Sequence, residues 1–120
     1  DGRCFPRDAA AEAIIADGRW SLPPHPVTCK PGARYAGALG VRRDPKSKLM
    51  ARIMSPPEEC FAVLMPYGED GHRSLYLSLF GCDFKDGEKA TARARLVIGQ
   101  DIADRQAILE YETYLKEMKR

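Results

Sequence analysis

From Arg34 to Ile98 the chain alternates apolar and polar residues with a period of two, and short turn-forming stretches interrupt the alternation. A period of two puts successive side chains on opposite faces of a strand. A chain patterned this way folds as antiparallel sheet joined by tight turns. RYAGALGVRR places Tyr35, Leu39 and Val41 on one face, and KLMARIMS places Leu49, Ala51 and Ile53 on one face with Met50 and Met54 on the other. Between them RDPKSK, with Pro45, reads as a hairpin turn. CFAVLMP is a continuous apolar run of strand length, which predicts a central strand. RSLYLSLF sets Leu75, Leu77 and Leu79 against Ser74, Tyr76 and Ser78. Asp70-Gly71 and Asp86-Gly87 supply turn chemistry on either side of it. In ATARARLVI, Ala92, Ala94, Leu96 and Ile98 are expected inward and Thr91, Arg93, Arg95 and Val97 outward. Five strands in a meander follow.

Helical segments flank this sheet. Residues 8–17, DAAAEAIIAD, have high helix propensity, with Asp8 placed to cap and Gly18 placed to stop. Residues 18–33 hold four prolines between Pro23 and Pro31 and read as an extended connector within one domain. Residues 101–119 read as a second helix, capped by Asp101, with Ile108, Tyr111, Leu115 and Met118 as its apolar stripe. That stripe suits packing across one face of the sheet. The expectation for residues 1–120 is a single two-layer α+β domain.

The 120 residues suffice for one core, and 44% hydrophobic with 30% charged residues is ordinary globular usage. A net charge of +2 does not by itself imply a polyanionic partner. No apolar run approaches the roughly 20 residues that cross a bilayer.

Cys4, Cys29, Cys60 and Cys82 are widely spaced and form no C-x-x-C pair. That spacing does not suit zinc, so no metal or cofactor is expected. An even count predicts two disulfides and a secreted or periplasmic setting. Cys4–Cys60 with Cys29–Cys82 would tie the first helix and the connector to the sheet, and Cys60–Cys82 is the rival pairing.

Two patterns point to chemistry. The opening DGRCF, running into a helical stretch, resembles the nucleophile segments of ovarian-tumour-type deubiquitinases and related viral papain-like proteases. That resemblance implies Cys4 as nucleophile and a histidine heading a later strand as base, for which His72 is the candidate. Pro6 moves the helix start away from the thiol, and Arg73 follows His72 where those families often carry an aromatic. The second pattern is basic. Arg42, Arg43, Lys46 and Lys48, with Arg93 and Arg95 on the last strand, would form a cationic surface if the two regions converge. His25 between prolines, and Glu58, Glu59, Glu69 and Asp70, read as loop and turn residues.

The leading expectation is a small secreted, disulfide-stapled binding protein (effector, inhibitor or immunity-type) that acts through protein-protein interaction, with no catalytic residues assigned. The alternative is the Cys4/His72 cysteine protease. A basic nucleic-acid-binding module is third.

Overall fold

The computed structural model describes residues 2–24, 26, 29–65 and 74–119. Among the described residues there are two α-helices, and seven strands form two sheets, so the α+β class holds. The chain does not run as one five-stranded meander. Strands β1 (Gly2–Pro6), β2 (Cys29–Pro31), β5 (Ala62–Met65) and β6 (Tyr76–Ser78) build a four-stranded sheet A in the order β2-β1-β5-β6. Strands β3 (Leu39–Arg43), β4 (Leu49–Met54) and β7 (Arg95–Gln100) build a three-stranded sheet B in the order β3-β4-β7. All pairings are antiparallel except β1 with β2.

The division has a local cause. After β4 the chain reads Ser55-Pro56-Pro57, and two successive prolines offer no N–H to extend a ladder. The backbone leaves sheet B through a 3₁₀ turn at Pro57–Glu59 and re-enters beside β1. Strand β1 lies outside the alternating stretch, yet it is central in sheet A. Its five residues gain their order from neighbours on both sides, a non-local effect that a short segment does not announce. The connector likewise contributes β2, in parallel register with β1.

Helix α1 (Ala9–Ala16) begins as its sequence predicts, with the Asp8 carboxylate accepting the Ala11 N–H at 2.9 Å. Its alanines let it lie close on one face of sheet A. Cys4, Ala11, Phe61 and Ala62 form a small core there, covered by Ile14, Ile15 and Trp20. The other face of sheet A enters the larger core, where Val63, Phe5 and Leu77 meet Met54, Cys60, Tyr111 and Tyr114. Asp86-Gly87 does make a turn, with Gly87 at φ +85°, but the strands before and after it belong to different sheets. The expected Asp70-Gly71 turn lies outside the described residues.

Helix α2 (Asp104–Met118) covers sheet B. Its N-cap is Ala103, whose N–H donates to the Gln106 side chain at 2.9 Å. Asp101 instead takes a left-handed conformation (φ +55°) and donates its N–H to Lys48 O. The helix therefore starts later than residue 101, because Asp101 is held by the sheet. Tyr111 ties α2 to the β3–β4 pair: its hydroxyl accepts the Ala38 N–H at 2.9 Å and donates to Ser55 O at 3.1 Å.

The face that α2 covers is the unexpected one. Met50, Arg52 and Met54 are buried beneath it, and register places Val41 and Val97 beside Arg52. Arg52 is 2% exposed, and its guanidinium forms a two-point bond with the Glu110 carboxylate at 2.8 and 2.9 Å. With this face inward, Leu96 and Ile98 point to solvent. The expectation of Leu96 and Ile98 inward with Arg95 and Val97 outward is reversed, because α2 supplies acids that accept the inward arginines.

Losing Glu110 would leave a buried guanidinium without its counter-charge, a defect worth about 3–5 kcal/mol when both partners are buried. Glu110 is 40% exposed on its side chain, so Glu110→Ala is expected to cost about 2 kcal/mol, roughly 8 °C in Tm for a domain of this size. The double variant Arg52→Met, Glu110→Gln should recover most of that loss. Thermal unfolding of the three proteins checks it.

Candidate interaction surface

Sequence reasoning singled out cysteines, one histidine and six basic residues. Cys4 sits in the middle of β1, paired with Leu64, and is fully buried against α1. The helix begins only at Ala9, so the thiol is not at a helix N-terminus. The cause is local: Pro6 ends β1 in extended backbone and Asp8, not Cys4, takes the cap. His72 lies outside the described residues.

The expected disulfide framework is not formed. Cys4, Cys60 and Cys82 form no disulfide, and the Cys29 side chain lies outside the described residues. Neither Cys4–Cys60 nor Cys60–Cys82 is bridged, and Cys82 is not joined to Cys29. Cys4 and Cys60 belong to different core clusters, one under α1 and one under α2, so sheet A stands between them. Cys60 is fully buried, its Sγ donating to Ala62 O at 3.4 Å, and burial pushes its thiol up to about 11. Cys82 is exposed.

The six basic residues do not converge. Arg43 bonds Ile102 O at 3.1 Å and pairs with Asp104. Arg93 forks onto Glu59 and donates to Met118 O at 3.2 Å, helping to close the C-terminus of α2. Hydrogen bonds from Arg93 hold the Glu59 carboxyl below its ordinary range. Arg95 bonds Glu117 at 2.8 Å and lies over the Tyr114 ring at 4.8 Å. These three arginines fasten α2 to its surroundings. Arg42 stands on the opposite face of sheet B, and Lys46 and Lys48 lie in the adjoining hairpin turn. Among the described residues, no acidic side chain pairs with Arg42, Lys46 or Lys48.

What sequence reasoning missed is the outer face of sheet B. Register aligns Gly40, Ile53 and Leu96 in one row, and Arg42, Ala51 and Ile98 in the next. Leu49 completes the apolar stripe. Leu49 is 45% exposed, and Leu96 and Ile98 are each 61% exposed. Leu75 packs at one border, so close that a Cβ at Gly40 would come within 2.8 Å of it. An antiparallel sheet with one solvated face normally alternates apolar-in and polar-out. Here both faces are apolar, and the shallow depression over the outer one encloses about 630 Å³. The signal was present in LMARIM and RLVIG, whose alternation is apolar on either phase.

A second groove, of about 790 Å³, lies between sheet A, β3 and α2, with Phe5, Val63, Met65, Leu39 and Ile108 on its walls. Its two phenols are already used within the fold: the Tyr35 hydroxyl lies 2.7 Å from Cys60 O, and Tyr111 bridges Ala38 and Ser55. Arg34 at its rim pairs with Glu12. The groove is apolar and offers no catalytic pairing among the described residues. Nor does any group of His, Cys, Asp or Glu among them suit a metal ion. No protein-family model, curated protein or solved structure matches this chain.

Two outcomes follow from the thiols. Under native alkylation Cys82 should react well before Cys4 and Cys60, which should label only on unfolding; mass mapping of the modified peptides reads this order. Cys60 keeps its proton in the folded state to about pH 11, whereas its ordinary value is 9.0. Unfolding therefore releases a proton between those values, so the Cys60 contribution to stability is complete below about pH 9 and is lost as pH rises through about 11. Tm measured across that window should fall, and Cys60→Ala should flatten the slope.

Proposed function

We propose that this chain is a small protein-binding module that docks a partner on the outer face of sheet B. The observation that supports it is the exposure of Leu49, Leu96 and Ile98 as one stripe on a regular sheet. Contiguous exposed apolar surface on a folded domain marks interaction sites more often than scattered single residues do. Arg42 within the stripe and Lys46 and Lys48 at its end favour a partner segment that combines apolar anchors with acidic flanks. Arg43, Arg93 and Arg95 are held by carboxylates of the same chain, which weakens the nucleic-acid reading. With Cys4, Cys60 and Cys82 outside any disulfide, this reading does not lean on a disulfide framework or on an oxidising compartment.

The test uses a panel of fluorescent peptides that alternate apolar and acidic residues, with basic and scrambled controls, read by anisotropy. Binding of the acidic-apolar set, reduced roughly tenfold or more by Leu49→Glu and by Ile98→Glu, is the expected result. Both substitutions are at exposed positions and should change stability by only about 0.5 kcal/mol. Equal binding of all peptides, or steeply salt-dependent binding of polyanions in their place, would remove the proposal.

A further inference from the structure

A different feature of sheet B, its backbone edge, carries an inference that goes beyond the docking face. Two sheets have four edges, and proteins blunt such edges to avoid pairing with other chains. Three of these four are blunted. Strand β2 has three residues and ends in Pro31, and β6 has three residues. Strand β3 carries Arg42 and Arg43 in succession. Strand β7 has none of these devices: it runs six residues, RLVIGQ, with no proline, and among the described residues it neighbours β4 alone. Its one cation, Arg95, is folded back onto Glu117 and Tyr114 and does not guard the edge.

The direction of its free backbone groups follows from the ladder. Asp44 N–H bonds Leu49 O and Ser55 N–H bonds Ala38 O, so the odd-numbered residues of β4 face β3. Its even-numbered residues face β7, and register pairs Met50, Arg52 and Met54 with Gly99, Val97 and Arg95. The main-chain N–H and C=O of Leu96 and Ile98 therefore point away from the sheet. Among the described residues, both thus present a backbone with no strand beside it and an exposed apolar side chain together.

We propose that two copies of this chain pair antiparallel along β7 about a two-fold axis at Val97. In that register Leu96 of one copy faces Ile98 of the other, and each pair exchanges two hydrogen bonds. Apolar side chains meet apolar side chains on the outer face. Val97 faces itself and Arg95 faces Gly99, so no like charges are opposed within β7. The two three-stranded sheets become one six-stranded sheet, joined at an isologous interface.

Sedimentation equilibrium over a wide concentration range tests this, together with Leu96→Lys combined with Ile98→Lys. Those lysines replace exposed side chains, so Tm should hold while self-association weakens by roughly tenfold or more. Ile98→Pro removes an outward N–H without touching a bond to β4, and should act likewise; if it fails to fold, the lysine variant decides. Leu49→Glu, on the central strand, should leave the dimer intact, which separates this proposal from the docking of peptides on the face. Val97→Cys in a Cys82→Ser background should oxidise to a covalent dimer, because opposed residues at that position have Cα atoms about 4.5 Å apart, within disulfide range. A protein that stays monomeric at every concentration overturns the proposal. So does a dimer that survives the paired lysines, or one in which Val97→Cys does not cross-link.

Discussion

The two-point bond between Arg52 and Glu110 is the constraint on which the arrangement of sheet B depends. A buried guanidinium is tolerable only with its charge and donors met, and Glu110 meets them from α2. Arg52 alternates with Met50 and Met54 along β4, so turning Arg52 inward turns both methionines inward as well. The same step sends Leu49, Ala51 and Ile53 out. Register then passes the choice to β7, where Arg95 and Val97 go in and Leu96 and Ile98 go out. One ion pair thus decides the polarity of a whole sheet.

Several contacts reinforce that choice from α2. Arg43 reaches its first turn, Arg95 its last, and Arg93 its final carbonyls. Tyr111 satisfies a buried N–H and a buried C=O that flank the β3–β4 pair. Exposed ion pairs of this kind contribute little each, on the order of 0–1 kcal/mol. Their weight is geometric, because together with the two-point bond they hold α2 in one register over the sheet. The cost is an apolar surface left outside.

That surface changes how the cations are understood. As a list along the chain, seven basic residues between Lys30 and Arg52 suggest a polyanion site. In space, Arg43, Arg52, Arg93 and Arg95 act as fasteners between sheet B, the preceding loop and α2, while Arg42 shares the opposite face with aliphatic side chains. Charge that is spent inside the fold cannot recruit a ligand. The cysteines change in a similar way: Cys4 and Cys60 are core packing on either side of sheet A, and small buried thiols suit such positions.

Local pattern was enough for much of this protein. Asp8 and the alanines after it specify α1, RDPKSK specifies the β3–β4 hairpin, and helical spacing after residue 103 specifies α2, because caps, turn residues and helical spacing act over a few neighbours. The stripe itself is shifted: Ala107, Tyr111 and Tyr114 are buried, whereas Ile108 is exposed. The strands of the alternating stretch were legible for the same reason. Tertiary structure alone decided how they assemble. The five residues of β1 become central only when β2 and β5 flank them, and the Pro56-Pro57 step diverts the chain between sheets. Local pattern pointed to the wrong face of β7, since LMARIM and RLVIG carry aliphatic residues on both phases and the arginine on one phase argues for burying the other. Only a carboxylate arriving from residue 110 could tell Arg52 which way to turn, and with it which apolar face would meet water.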